Sequence, residues 1–155
     1  MSPTPSVTFR LATPADLPTI LKLLVDDDIA RTRSGYVAEV TPAVRAAFDE
    51  IAADPNNEII VGEREGEVIA TLQLTYIPGL SRGGMRRAQV EAVRVRADLR
   101  GQRLGERLME DAMARARARG CGLMQLTTDK RREAAHRFYA RLGFQASHEG
   151  MKRTL

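Results

Sequence analysis

Glu91 stands inside Arg87 to Arg96, a stretch that reads as the central β-strand, where an ionised carboxylate requires water, a cation or a function. Strand period 2 puts Glu91, Val93 and Val95 on one face and Val90 and Ala92 on the other. An ion pair with Arg82, Arg86 or Arg87 would satisfy Glu91 structurally, and proton abstraction would satisfy it chemically; the residues alone leave both open. Just downstream, Arg100-Gly101-Gln102-Arg103-Leu104-Gly105 joins that strand to a helix with apolar positions Leu104, Leu108, Met109, Ala112, Met113 and Ala116. The first amides of such a helix lack partners inside it, so the turn is prepared for a phosphate or pyrophosphate, with Arg100 and Arg103 adding charge. Gly105 lets a ligand or a neighbouring element approach the first helical turn. Tyr139 lies off the centre of the Ala135, Phe138 and Leu142 stripe of a later helix; it reads as a packed aromatic or as a hydroxyl reaching a pocket.

The elements that must position these groups follow in order. A strand spans Val7 to Leu11, and Thr13-Pro14 opens a helix carrying Leu17, Ile20, Leu21 and Leu24. The acidic run Asp26-Asp27-Asp28, continued to Gly35, reads as a loop or an irregular helix. A second helix starts at Thr41-Pro42, turns Val44, Ala47, Phe48 and Ile51 inward, and stops before Asp54-Pro55-Asn56-Asn57. Strands at Ile59 to Glu63 and Val68 to Tyr76 form a hairpin, and a Gly-rich connector, Ile77 to Gly84, leads to the central strand. Beyond the long helix come a strand at Leu123 to Thr127, the Tyr139 helix capped by Gly143, and a final pair of short strands over Gln145 to Lys152.

Arg100 to Gly105 resembles the Gln/Arg-x-x-Gly-x-Gly/Ala signature of the GCN5-related N-acetyltransferases, with Arg103 where the family commonly has Gly. Ala135-His136-Arg137-Phe138-Tyr139-Ala140-Arg141-Leu142-Gly143-Phe144 is similar to the last helix of the same family, and Thr127 to Leu155 also resembles its aminoalkylphosphonate N-acetyltransferases. The resemblance implies an α/β (α+β) fold with a mixed central sheet of about six to seven strands and about four helices. It implies one domain over residues 7–155 behind a flexible tail at 1–6, moving an acetyl group from acetyl-coenzyme A to a primary amine. In that likeness Glu91 is the general base and Tyr139 the general acid. The cofactor-binding set it implies is Val93, Arg94, Val95, Arg100, Gly101, Gln102, Arg103, Leu104, Gly105, Glu106, Arg132 and Phe138. Arg132 replaces a frequent Asn of the family, and its guanidinium can reach phosphate. A small-molecule amine is the expected acceptor; a protein or peptide amine, or a non-catalytic coenzyme A sensor, are the alternatives.

Composition narrows the classes. The 155 residues are 43% apolar, enough for one buried core, and no apolar run is long enough to cross a membrane. Residues 1–81 carry 6 Lys and Arg against 12 Asp and Glu, whereas residues 82–155 carry 18 against 8. That basic half raises a polyanionic partner, yet its arginines are not interleaved with the seven aromatics, and no nucleic-acid module appears, so none is expected. Cys121 is the lone thiol, which fits a reducing compartment, and with only His136 and His148 no metal set forms. His136 reads as solvent-facing. The N-terminus lacks the apolar region of a signal peptide, so a cytoplasmic location is the expectation; a homodimer is left open. Direct attack is favoured over a covalent intermediate because Cys121 lies far along the chain from the other candidates.

Overall fold

A computed structural model describes residues 5–32 and 38–155. In chain order the elements are β1 (Thr8–Leu11), α1 (Leu17–Val25), a helical turn Asp28–Arg31, α2 (Pro42–Ala53), β2 (Asn57–Arg64), β3 (Glu67–Ile77), a turn Ser81–Gly84, β4 (Arg86–Val95), α3 (Leu104–Ala118), β5 (Cys121–Leu126) and α4 (Glu133–Arg141). Residues 1–4 of the expected tail and 33–37 next to the expected acidic loop lie outside the described residues.

Among the described residues there is one sheet of five strands in the order β1-β2-β3-β4-β5. The first four are antiparallel neighbours, and β5 lies parallel to β4. A parallel partner requires a long crossover, which α3 supplies. The β2–β3 hairpin closes on Glu65 and Gly66, both at positive φ (51° and 79°), the geometry that matches the twist of paired strands.

The core lies between the sheet and α3, where Leu108, Met109 and Ala112 meet Ile60, Leu72, Leu74 and Val90, all essentially without solvent contact. Each such Leu contributes about 1.5–3 kcal/mol of burial free energy. The opposite face is covered in part by α1, which buries Leu17, Ile20, Leu21 and Leu23 and packs on β3 and β4. Leu23, not the expected Leu24, is the fourth buried position. In α2 only Phe48 is fully buried; Val44 and Ile51 are half-buried and Ala47 is exposed, because this helix packs chiefly on β2 near the edge of the sheet.

Two expectations are corrected here. The sheet has five described strands, fewer than six to seven, because residues 145–155 form no strand and are exposed. Their sequence, Gln-Ala-Ser-His-Glu-Gly-Met-Lys-Arg-Thr-Leu, has no alternating apolar face to bury. The second correction concerns Glu91, Val93 and Val95, which do not share a face. Ala92 has φ 54°, and Gln73 pairs with Glu91 while Thr71 pairs with Arg94, so Leu72 opposes both Ala92 and Val93. This bulge inverts the pleat. Val93 and Val95 pack on the core with Val90, whereas Glu91 and Arg94 turn to the α1 side.

Candidate active site

The bulge also ends the pairing of β4 with β5. Their ladder runs from Arg86–Cys121 to Val90–Leu126 and stops there, so among the described residues those beyond Val90, as far as Val95, keep only β3 as a strand partner. The backbone groups they turn toward β5 are open to another chain-like molecule with amides of its own.

At the end of β4, a 3-10 turn at Ala97–Leu99 delivers the chain to Arg100. Gly101 has φ 83° with open space where a Cβ would stand. Arg103 precedes α3 in the left-handed region, φ 62° and ψ 18°, with no side-chain cap. Among the described residues, no backbone carbonyl accepts from the amides of Gly101 to Glu106; the first helical bond is Arg107 to Arg103, at 3.1 Å. A row of free donors at a helix N-terminus is an anion site, and this one is fifteen helical residues deep.

The remaining residues of the motif divide between the corner and the packing below it. Leu104 is buried beside Val7, Ile69 and Leu99, so its side chain anchors the turn. Arg100, Gly101, Gln102 and Arg103 are exposed, and Gln102 lies 3.5 Å from the Arg64 guanidinium. Glu106 is half-buried in the first turn of α3. Gly105 admits a neighbouring element: a Cβ there would stand 3.3 Å from Phe138 Cζ. Phe138 thereby seals α4 against α3 and Val95, with the rest of its ring meeting Tyr139 edge-on at 5.1 Å between centroids.

Tyr139 is half-buried, with Phe144 also edge-on at 5.8 Å, and its hydroxyl makes no hydrogen bond with a described residue. Burial pushes that hydroxyl up from its ordinary value, and the charges of Arg94 and Arg132 pull in the other direction. It holds its proton at neutral pH. Glu91 is exposed; none of the three arginines offered as partners pairs with it, and its carboxylate instead accepts from Gln89 at 2.9 Å. Gln125 of β5 donates in turn to Gln89 at 2.8 Å, so an amide ladder crosses the last rungs of the β4–β5 pair.

Asp27 escaped sequence reasoning, which left it in an acidic loop or irregular helix. It follows α1, accepts the Ile29 amide at 3.0 Å, and contacts both Arg94, at 3.6 Å, and Arg132. Burial would raise its carboxyl, but the close Arg132 guanidinium, the Ile29 amide and the charge of Arg94 together hold it below the usual carboxylate range. No sequence spacing could reveal this cluster, because its members come from three distant elements. A cavity of about 420 Å³ opens beside it, lined by Asp26, Asp27, Ile29, Arg31, Ala97 and Arg100.

Cys121 begins β5, at the opposite end of the ladder from the opening, and burial raises its thiol, which disfavours the nucleophilic thiolate. His136 is exposed, as expected, and its ring contacts the Asp129 carbonyl at 3.1 Å.

Three comparisons bear on this arrangement. Residues 21–144 match the acetyltransferase (GNAT) family. The chain is 33% identical to the aminoalkylphosphonate N-acetyltransferase of Salmonella typhimurium over 68% of each chain. It is 32% identical to the L-methionine sulfoximine/L-methionine sulfone acetyltransferase of Pseudomonas paraeruginosa over 92% of this chain and 82% of that one. Among solved structures, one described as a transcriptional regulator from Bacillus halodurans superposes with a TM-score of 0.91 at 45% identity, covering 97% of this chain and all of the other.

Proposed function

The chain belongs to the acetyltransferase (GNAT) family and is an acyltransferase, and from that premise we propose that it acetylates the primary amine of a small molecule by direct attack in a ternary complex. Residues 7–155 act as one catalytic domain. Acetyl-coenzyme A supplies the activated acetyl group as a thioester. The residues present fit it: the unpaired amides from Gly101 to Glu106 would hold the pyrophosphate, with Arg100 and Arg103 at hand. The open flank of β4 at Val93 and Val95 would pair with the amides of the pantetheine arm.

Glu91 takes the proton from the acceptor ammonium, directly or through water, so that a neutral nitrogen attacks the carbonyl carbon. Its exposure and its lack of an arginine partner in the structure suit a base, and they count against a coenzyme A sensor, which a Glu91 sealed in an ion pair would have favoured. As the carbon–sulfur bond breaks, Tyr139 gives its proton to the departing sulfur; its raised hydroxyl is loaded for that purpose. The charges of Arg94 and Arg132 act in the opposite sense to burial at this hydroxyl and favour the phenolate left behind. The single observation that carries the reading is the free row of amides opposite a strand flank left without its partner.

Small-molecule amines are favoured because the two relatives named above act on aminoalkylphosphonates and on L-methionine sulfoximine and sulfone. The test is a mass-spectrometric screen with acetyl-coenzyme A against three sets: aminoalkylphosphonates, amino-acid sulfones and sulfoximines, and lysine-bearing peptides. Acetylation confined to small amines is the expected result. Turnover on peptides alone, or none on any set, overturns it.

A further inference from the structure

A general base has to meet its proton at about 2.6–3.2 Å, and a carboxylate on a long rotating side chain spends little time at any one point. Glu91 is exposed and, among the described residues, forms no ion pair. Its cross-strand neighbour Gln73 and the next residue on that face of β3, Thr75, are both turned to β2, where they donate to Asn57 Oδ1 at 3.4 and 2.8 Å. Gln89 remains. It stands two positions before Glu91 on the same face of β4, ahead of the bulge, and its Nε2 donates to Glu91 Oε1 at 2.9 Å.

We propose that Gln89 is a positioning residue for Glu91, tying the carboxylate to the last paired rungs of β4 and β5, and that Gln125 fixes which end of the Gln89 amide the carboxylate meets. The proposal rests on the reading of Glu91 as the general base. An ionised carboxylate only accepts, so Gln89 must present Nε2 to it, which turns its carbonyl oxygen toward β5. There Gln125 stands at the register position opposite Gln89 and donates its own Nε2 to that oxygen at 2.8 Å. A flip of the Gln89 amide would set oxygen against carboxylate, and the donor from Gln125 opposes it. Both glutamines are half-buried, whereas Glu91 is exposed, so the chain of bonds runs from the sheet outward to the base. The Gln89–Gln125 rung lies one before the last, Val90–Leu126, so the base is fixed against both strands that bound the opening.

Among the described residues Gln89 has two side-chain partners, Glu91 and Gln125, and of these only Glu91 titrates. That gives the bond its own signature. In the 15N-labelled chain, the Gln89 side-chain amide, identified by its loss in Gln89→Met, should shift as the pH is lowered through the range in which carboxylates titrate, and the shift should vanish in Glu91→Gln.

Steady-state kinetics and calorimetry supply the second readout. Gln89→Met keeps the length of the side chain and removes the donor; it should lower kcat by about tenfold with acetyl-coenzyme A affinity unchanged. Gln89→Val, a better strand former, serves if Gln89→Met does not fold. Gln125→Met should cost less, since Gln89 can still donate. In the Glu91→Gln background Gln89→Met should cost nothing further, whereas a purely structural role would cost the same in both backgrounds and weaken the coenzyme. An amide signal that ignores acid, an unchanged kcat in Gln89→Met, or an equal loss in both backgrounds overturns the proposal. The amide signal needs no turnover, so failure of Glu91 as the base, read as unchanged turnover in Glu91→Gln, is separable from failure of the Gln89 role.

Discussion

Two tyrosines sit at opposite ends of β4, each beside arginine and near a carboxylate. At the start of the strand Tyr76 is buried opposite Ala88, its hydroxyl donates to Glu58 at 2.8 Å, and Arg119 both lies over its ring at 4.4 Å and pairs with the same carboxylate at 3.2 Å. Arg119 also donates to the Pro55 carbonyl at 3.0 Å, so the end of α3 is tied to the turn before β2. Burial and the bond to Glu58 push the Tyr76 hydroxyl up. At the other end Tyr139 feels the charges of Arg94 and Arg132, but the carboxylate of Asp27 is engaged with them, and the hydroxyl has no hydrogen-bond partner among the described residues. The same residue types give a closed staple in one place and, in the other, an unbonded hydroxyl, the one proposed as the acid. What separates them is whether the hydroxyl has a fixed acceptor.

That contrast can be broken most sharply by removing the two hydroxyls in turn. Tyr139→Phe should lower turnover by about 10²–10³-fold with little change in acetyl-coenzyme A affinity, measured by steady-state kinetics and calorimetry. Unchanged turnover would make Tyr139 a packed aromatic like its counterpart. Glu91→Gln should lower turnover by about 10²-fold; unchanged turnover places the base elsewhere. Tyr76→Phe should leave turnover intact and cost about 1–2 kcal/mol in a denaturant melt, since Glu58 keeps Arg119 but loses a buried donor.

Acid sharpens the comparison from the side of the carboxylates. Asp16, through its bonds to Arg10 and the Thr13 amide, and Asp27 are both held below the ordinary 3.8 despite the opposing effect of burial. Their contribution to stability is therefore complete above that value and is lost as pH falls further and protonates the folded carboxyls. Thermal melts between pH 5 and pH 2 should show this loss, and Asp27→Asn should shallow it. The smallest effect is expected at Arg103. Relieving its left-handed backbone with Arg103→Gly should raise stability by about 0.5–1 kcal/mol.

Much of the fold was legible because local signals agreed with one another. The Thr41-Pro42 start of α2 holds, with the Thr41 hydroxyl accepting the Val44 amide at 3.2 Å. Gly143 ends α4 at φ 92°, and Gly105 does admit a close neighbour, which proves to be Phe138. The unpaired amides before α3 were readable for the same reason: a helix start after a strand exposes donors whatever lies elsewhere. The strand pair expected over Gln145 to Lys152 failed because a few polar residues carry no alternation that would demand a partner. The facing of Glu91 failed because period 2 presumes an unbroken pleat, and nothing in Glu91-Ala92-Val93 announces a bulge.

By itself the chain's order of residues determined the family, the strand-to-helix turn with its unpaired amides, and the residue types available for acid and base. Those are local properties, set by neighbours within a few positions. The tertiary structure alone decided that β4 and β5 part after Val90, that Glu91 faces away from Val93 and Val95, and that Asp27 meets Arg94 and Arg132. These contacts join segments far apart along the chain, and their energies exist only once the core has brought the segments together.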